Sequence, residues 1–176
     1  MDNDLIIRQE LEKDYPAVKK LVKAAFADEL HSDHKEHELV EKLRQTDAFV
    51  PPLSLVAVLE KKIVGYILLS EITVGESNFT SLAMAPVAVL PEFQNQGIGS
   101  LLIREAHEKA KDLGYTSVIL LGHKDYYPKF GYKPLGDFGI QLPFDVPQEY
   151  AMGLELVSNA LNGISGRVHY PPAFFD

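Results

Sequence analysis

The stretch that decides the fold lies in the middle of the chain and reads Val87-Ala88-Val89-Leu90-Pro91-Glu92-Phe93-Gln94-Asn95-Gln96-Gly97-Ile98-Gly99-Ser100. It begins as an apolar strand, passes through a polar loop and enters a helix at Gly97 and Gly99. Glycine allows unusual backbone conformations and close approach of a ligand to the backbone. The first amides of a helix lack intrahelical acceptors, and the helix dipole adds partial positive charge there. The junction therefore predicts a phosphate or pyrophosphate site that needs no basic side chains.

Two common phosphate-binding motifs do not fit this junction. A Walker A loop requires Gly-Lys-Ser/Thr, whereas Gly99 is followed by Ser100 and Leu101. The dinucleotide motif requires a third glycine, and Leu102 stands in its place. A nucleotide-phosphate enzyme is therefore disfavoured. Packing of the helix against the strand remains the structural alternative for both glycines.

The sequence before the junction predicts a strand, two helices and three further strands. Asp14 is a typical N-cap with Pro16 just inside the helix, and Pro51-Pro52 is expected to end the second helix. The predicted helices are one that runs to Phe26 and a second that carries Leu39, Val40 and Leu43. The predicted strands are Leu5–Arg8, a hairpin of 53–60 and 63–74 that turns at Lys61-Lys62, and 80–90, which Pro86 interrupts.

The sequence after the junction predicts one long helix and three strands. The helix runs from Gly97 to Leu113, with Gly114 as its C-terminal cap. Its expected apolar face comprises Ile98, Leu101, Leu102, Ala106, Ala110 and Leu113. The apolar run 118–121 is a central strand, parallel to the strand before the helix. With strand-like pieces at 152–157 and 167–170, the class is α/β or α+β around a mostly antiparallel sheet.

Composition limits the class of protein and its partners. The 176 residues are 46% apolar and 24% charged, which indicates one globular domain. The net charge of -8 argues against nucleic-acid binding, because phosphate contacts need clustered basic residues. The lack of cysteine excludes a thiol nucleophile and Cys-based metal sites. No apolar run is long enough for a membrane span and the N-terminus lacks signal-peptide order, so we expect a cytoplasmic protein without membrane partners.

The string Gln94-x-x-Gly97-x-Gly99, with 87–89 and 91–93 before it, resembles the acetyl-CoA signature of the GNAT N-acetyltransferase superfamily. The resemblance implies that loop amides hold the CoA pyrophosphate, with Gln94 at the edge of the site. It implies that the pantetheine arm pairs with the strand after Pro86, where proline already breaks the ladder. The cofactor-binding residues implied are Val87, Ala88, Val89, Gln94, Asn95, Gln96, Gly97, Ile98, Gly99 and Ser100.

Tyr127 with Gly131-Tyr132 matches the Tyr-x-x-x-Gly-Phe/Tyr spacing at which members of this superfamily place a tyrosine beside the CoA sulfur. The resemblance implies that Tyr127 protonates the leaving thiolate. A phenol of pKa about 10 is protonated at neutral pH and can donate to a thiolate of pKa about 8.5. Tyr126 is the weaker candidate, and an ordinary packing role stays open for Tyr127.

No carboxylate occurs at 80–85, where some members keep a glutamate that accepts the amine proton. Glu71 and His123 are the candidate bases, and a chain of water without a dedicated base is the third alternative. His31, His34 and His37 recur every third residue in an acidic segment. Steps of three drift around a helix, so a solvated segment without metal is preferred. His107 is expected to be exposed on the long helix, and His169 has no assigned role.

The resemblance implies an α/β fold with a V-shaped, mostly antiparallel sheet, one parallel strand pair and helices on both faces. We expect a single N-acetyltransferase domain over 1–176, comprising a strand and two helices (1–52), the acetyl-CoA-binding core (53–135) and C-terminal strands (136–176). The implied reaction moves acetyl from acetyl-CoA to a small-molecule, protein or peptide amine by direct attack. A catalytically weak CoA or acetyl-CoA sensor is the alternative, and homodimerisation is left open.

Overall fold

The computed structural model describes residues 4–30 and 32–175. The chain divides into two compact units. The first unit comprises Met1–Leu69 and Ala85–Lys109, and the second comprises Ser70–Met84 and Ala110–Asp176. Strands β3 (Lys62–Val74) and β4 (Phe79–Val89) contribute residues to both units.

Three helices and nine strands are formed by the described residues. The helices are α1 (Tyr15–Phe26), α2 (Glu36–Leu43) and α3 (Ile98–Asp112). The other strands are β1 (Leu5–Gln9), β2 (Phe49–Leu59), β5 (Ser117–Leu121), β6 (Lys133–Pro134), β7 (Ile140–Gln141), β8 (Ala151–Glu155) and β9 (Gly166–His169). The mixed α/β class with a mostly antiparallel sheet is confirmed.

β1 and α1 lie where the sequence predicts them, but the Asp14 side chain makes no N-cap hydrogen bond to α1. β1 pairs antiparallel with β2, from Leu5 opposite Leu59 to Gln9 opposite Leu55. Asp14 closes the turn before α1, because its carboxylate accepts hydrogen bonds from the Leu11 amide at 2.8 Å and the Arg8 guanidinium at 2.7 Å. The Arg8 guanidinium lowers the pKa of Asp14, so the carboxylate remains charged in this turn.

A buried polar chain links four elements of the first unit. Arg44 donates to both oxygens of the Glu10 carboxylate, whose side chain is 1% exposed. Ser54 donates to Glu10 at 2.7 Å, so the 2.7 Å bond between Ser54 and Tyr66 is donated by the Tyr66 hydroxyl. The chain therefore compensates the burial of the Glu10 charge, which is very costly when left unpaired.

Two predicted boundaries in this unit were wrong. α2 ends at Leu43, where the Thr46 hydroxyl and amide bond the Leu43 carbonyl, and Pro51-Pro52 lies inside β2 rather than ending the helix. β1 pairs only with 55–59 of β2, so the missing N–H groups of the two prolines cost no hydrogen bond in the β1–β2 ladder. The hairpin turns at Glu60 and Lys61, whose φ values of 48° and 69° are typical of a type I′ turn.

Helix α3 buries a face that differs in part from the predicted one. Leu101 and Leu113 are 46% and 44% exposed, whereas Ile103 is fully buried. His107 is 8% exposed, so its predicted exposure was wrong. It lies four residues after Ile103, and this spacing places it on the buried face. Gly65 of β3 makes room for the helix, because a Cβ there would lie 2.9 Å from Leu102 Cδ1.

The second unit contains the predicted parallel pair. β4 pairs with β5 through Leu82 opposite Val118 and Ala83 opposite Ile119. β5 pairs antiparallel with β8, β8 with β6, and β3 with β9, while β7 and β9 form a further short parallel pair. β5 is thus a central strand, as predicted. The core of this unit includes Ile72, Val74, Ala83, Ile119, Leu135, Ile140, Leu161 and Val168.

Candidate functional site: the loop before α3 and the tyrosine turn

The loop between β4 and α3 adopts a left-handed backbone at two positions. β4 ends at Val89, a 3-10 turn follows at Pro91–Phe93, and α3 begins at Ile98. Asn95 has φ 64° and Gly97 has φ 86°. The Gly97 carbonyl accepts the first helical hydrogen bond, from the Leu101 amide at 3.1 Å. The backbone that precedes the helix therefore turns sharply and presents the start of α3 at the surface.

The structure shows why Gly97 is glycine. A Cβ added at Gly97 would meet nothing within 4 Å, so close packing does not require a glycine there. Its positive φ does, because L side chains rarely adopt this conformation. Gly99 lies in the first turn of α3 and is half-buried. The packing alternative therefore does not apply to Gly97, and open space lies above its backbone.

Side-chain amides close the loop on itself. Gln94 donates from Nε2 to the Val89 carbonyl at 3.0 Å, which ties the loop to the end of β4. Gln96 donates a longer bond, of 3.4 Å, to the Glu92 carbonyl. Gln94, Asn95, Gln96 and Gly97 are all exposed. The loop is thus an accessible backbone surface whose shape is set by local hydrogen bonds.

Tyr127 begins a single 3-10 turn that runs to Phe130. Gly131 ends the turn with φ 101°, and its amide bonds the Pro128 carbonyl at 2.9 Å. Tyr132 then enters the core at 3% exposure and donates its hydroxyl to Met84 Sδ at 3.8 Å. The predicted Tyr-x-x-x-Gly-Tyr string is therefore one structural unit, which we call the tyrosine turn (127–132).

The Tyr127 ring is held by other aromatic rings while its hydroxyl stays uncommitted. Edge-to-face contacts join it to Tyr126 at 5.0 Å and to Tyr132 at 5.9 Å between centroids. Among the described residues, its hydroxyl makes no hydrogen bond to another side chain or backbone group. Burial raises the pKa of Tyr127 to about 12, and nearby Tyr126 adds to the shift. The phenol is thus protonated at neutral pH and has a donor to offer.

Tyr126 differs from its neighbour in its surroundings. The Lys129 ammonium lies 4.0 Å from the centroid of its ring, a cation–π contact on the surface. It packs edge-on against Phe130 at 5.4 Å as well as against Tyr127. Tyr126 is therefore packed against one ammonium group and two aromatic rings.

The two candidate bases are associated with opposite ends of β5. Glu71 accepts a short hydrogen bond from the hydroxyl of Tyr115, which precedes β5. His123 follows β5, as does Gly122, against which the Tyr127 ring packs. The structure therefore brings His123 and Tyr127 to the same end of the strand. Glu71 is engaged with Tyr115 instead, and burial together with this carboxylate raises the pKa of that phenol to about 12.

His123 makes a local hydrogen bond through one ring nitrogen. Its Nδ1 accepts the Asp125 amide at 3.2 Å, which places the proton of the neutral ring on Nε2. The side chain is 68% exposed, with its Nδ1 3.9 Å from the Asp125 carboxylate.

The remaining histidines form no metal site within 4–30 and 32–175, where no three potential ligands come together. His31 lies outside the described residues. His34 has φ 60° in an exposed segment, and His37 is 3.9 Å from the Glu38 carboxylate. Burial lowers the pKa of His107 to about 4, with Arg104 adding to the shift, and His169 is exposed on β9.

Comparison with known proteins identifies the family. Residues 10–132 match the acetyltransferase (GNAT) family, and the chain belongs to it. It is 40% identical over 119 residues to YjhQ, an uncharacterized N-acetyltransferase of Escherichia coli K12, covering 66% of each chain. It is 28% identical over 171 residues to a second such protein, YhbS of Escherichia coli K12, covering 97% of this chain and 98% of YhbS.

Solved structures agree with this assignment. The crystal structure of Escherichia coli YhbS in complex with CoA matches with a TM-score of 0.90 at 26% identity, covering 98% of this chain and 93% of YhbS. A GNAT family acetyltransferase from Brucella melitensis in complex with acetyl-CoA matches with a TM-score of 0.81 at 30% identity, covering 97% of both chains. In the part of the chain that the structure describes, no helix is both long and apolar enough to cross a membrane.

Proposed function

We propose that this protein is an acetyl-CoA-dependent N-acetyltransferase that moves the acetyl group to an amine by direct attack. The observation that carries the proposal is the loop before α3, which is exposed at 94–97 and whose left-handed Gly97 leaves its backbone open at the start of the helix. The amides of this loop hold the CoA pyrophosphate, and the dipole of α3 adds to the attraction. The complexes of YhbS with CoA and of the Brucella protein with acetyl-CoA support this assignment.

The pantetheine arm pairs with β4. The ladder between β4 and β5 consists of Leu82 and Ala83 with their partners, whereas β4 continues to Val89. Backbone groups of Val87, Ala88 and Val89 are therefore the partners we assign to the two amides of the arm, as in strand addition to a sheet edge. The Gln94 side chain already donates a hydrogen bond to the Val89 carbonyl, so the arm bonds backbone groups of β4 that precede this carbonyl.

Tyr127 donates a hydrogen bond to the sulfur as it leaves. Burial and nearby Tyr126 raise its pKa to about 12, so the phenol keeps its proton at neutral pH and can donate it. A hydrogen bond to a charged group such as the developing thiolate contributes about 1.5–3 kcal/mol. Tyr127 thus stabilises the thiolate and is the donor from which the thiolate can take a proton.

The transfer balances without a covalent intermediate on the protein. The amine nitrogen bonds to the acetyl carbon, the carbon–sulfur bond breaks, and the electron pair leaves on sulfur. The proton of the amine passes to water, a route supported by the hydrogen bonds that Glu71 accepts from Tyr115 and His123 accepts from the Asp125 amide. The acceptor is a small-molecule amine or an amine of a protein or peptide.

The proposal is tested by measuring CoA release from acetyl-CoA with a panel of amines, using a thiol reagent. The chain has no cysteine, so CoA supplies the only thiol in the assay. We expect amine-dependent release and a rise in Tm, since a ligand at about 100 Kd stabilises by about 2.7 kcal/mol. A Tm unchanged by millimolar acetyl-CoA would contradict the proposal.

A sensor that binds CoA or acetyl-CoA is the second candidate function. It is favoured by the engagement of both candidate bases and by the lack of a carboxylate at 80–85. A sensor raises its Tm with CoA and acetyl-CoA but releases no CoA with any amine of the panel. An enzyme gives release that depends on amine concentration, and this release falls in Tyr127→Phe.

A further inference from the structure

Gly122 follows β5 directly and precedes His123. Its amide donates to the Tyr150 carbonyl at 2.8 Å, so its backbone is fixed in place. Its φ lies outside the left-handed range, which means that the backbone conformation itself accepts an L side chain. A reason for glycine at this position must therefore come from its surroundings.

The Tyr127 ring lies directly on the Gly122 backbone. A Cβ added at Gly122 would be 2.9 Å from Tyr127 Cδ2 and closer still to Cε2. Carbon atoms pack best at about 3.5–4.0 Å, so an alanine there forces the ring to move. The Leu120 Cδ1, at 3.1 Å, limits the methyl group on another side.

The other contacts of the ring leave it few alternative positions. Tyr126 and Tyr132 touch it edge-to-face, and Phe130 lies 6.4 Å away between centroids. Tyr132 is itself buried and bonded to Met84. A methyl group at Gly122 therefore displaces the ring as a whole, and the hydroxyl at its tip moves with it.

We propose that Gly122 is a positioning residue for acetyl transfer, because its missing side chain lets the Tyr127 ring rest on the backbone with its hydroxyl aimed at the CoA sulfur. The inference depends on the proposed role of Tyr127. It adds a residue outside both the loop 94–100 and the tyrosine turn, and this residue acts through Tyr127 without touching substrate.

The first test compares Gly122→Ala with Tyr127→Phe. We expect both variants to lower kcat by roughly 10–150-fold, the loss of one hydrogen bond to a charged group. The Kd for acetyl-CoA, measured by calorimetry, is expected to stay unchanged, since neither residue belongs to the pyrophosphate loop. Gly136→Ala is the matched control, because Gly136 also lacks a positive φ and a Cβ there would meet nothing within 4 Å.

The second test separates ring displacement from a general loss of structure. In the Tyr127→Phe background, adding Gly122→Ala should lower kcat little further, since the hydroxyl is already absent. In the Tyr127→Ala background, Gly122→Ala should cost much less Tm than in the wild type, because the ring that clashes is gone. This comparison also applies if Gly122→Ala alone folds poorly.

The outcomes distinguish the inference from the function on which it depends. If Tyr127→Phe is slow and Gly122→Ala turns over at the wild-type rate, the positioning role is wrong and the proposed function stands. A Tm penalty for Gly122→Ala that is undiminished in the Tyr127→Ala background also overturns it. If Tyr127→Phe turns over at the wild-type rate with chemistry rate-limiting, the hydroxyl has no role and the positioning role falls with it.

Discussion

The loop before α3 and the tyrosine turn serve the proposed reaction in opposite physical ways. The loop is exposed, and its character comes from backbone conformation at Asn95 and Gly97 with open space above. The tyrosine turn depends on packing, since Tyr127 is enclosed by rings and rests on Gly122. A backbone site depends on its own conformation, whereas a packed side chain depends on the residues that enclose it.

Burial has the same effect on charge on helix α3 and in the tyrosine turn. It lowers the pKa of His107 on α3 to about 4 and raises that of Tyr127 to about 12. In each case the neutral form is favoured, because desolvation disfavours charge. The neutral phenol keeps the proton of the hydrogen bond that it donates. The neutral imidazole makes the free energy of unfolding fall in acid.

The largest effect is expected from Gly97→Val. A β-branched side chain would occupy the space above the backbone and prevent the pyrophosphate from reaching the amides. The loss of two charge-assisted hydrogen bonds weakens acetyl-CoA binding by roughly 10²–10⁴-fold, as calorimetry would show. Gly163→Val is the control, since Gly163 has φ 77° and equally open space. Gly163→Val should lower Tm as much as Gly97→Val does and leave the Kd for acetyl-CoA unchanged. Equal Kd values for the two variants would exclude the backbone of the loop as the binding site.

The second prediction concerns acid and His107. Its folded pKa of about 4 lies below the ordinary value of 6.5, so the unfolded chain binds an extra proton between these pH values. The free energy of unfolding should be unaffected by this group above pH 6.5 and fall by about 3 kcal/mol toward pH 4. His107→Gln should flatten the slope, measured by denaturant unfolding. The control His169→Gln should not, because His169 is exposed; an unchanged slope in His107→Gln would mean that another group titrates.

Loss of the Tyr127 hydroxyl should slow turnover without affecting binding. Tyr127→Phe keeps the ring contacts, so kcat is expected to fall by roughly 10–150-fold while the Kd for acetyl-CoA is retained. Tyr126→Phe removes the neighbouring hydroxyl and should leave kcat unchanged. A loss of equal size in both variants would show that the aromatic cluster, rather than the Tyr127 hydroxyl, sets the rate.

The smallest effect is expected at Gln94. Gln94→Leu removes the bond to the Val89 carbonyl, worth about 1 kcal/mol, and should weaken acetyl-CoA binding about fivefold. Gln96→Leu removes a longer bond to Glu92 and should have a smaller effect. The reverse order of the two Kd values would show that Gln96, not Gln94, shapes the loop.

The sequence predicted the features that depend on local chemistry. The junction at 87–100, the bounds of α1 and β5, the cap at Gly114 with its φ of 94° and the parallel strand pair follow from spacing, glycine and chain order. A signal for His107 was present as well, since it stands four residues after Ile103 and three before Ala110, both buried. A prediction from apolar spacing misses His107, because such a prediction counts histidine as polar.

Other features required the folded chain. The tolerance of β2 for Pro51-Pro52 depends on which residues β1 pairs with, and the engagement of Glu71 depends on Tyr115, a residue 44 positions away. Gly122 carries no local signal, because its φ is ordinary and its need for glycine comes from a ring five residues later. These contacts are set by tertiary packing, which no pattern of neighbouring residues encodes.

The central claim is that the loop before α3 binds the pyrophosphate of acetyl-CoA, and a crystal structure with acetyl-CoA tests it most directly. We predict pyrophosphate oxygens at about 2.7–3.2 Å from amides of 97–100. Pyrophosphate bound away from this loop would contradict the account.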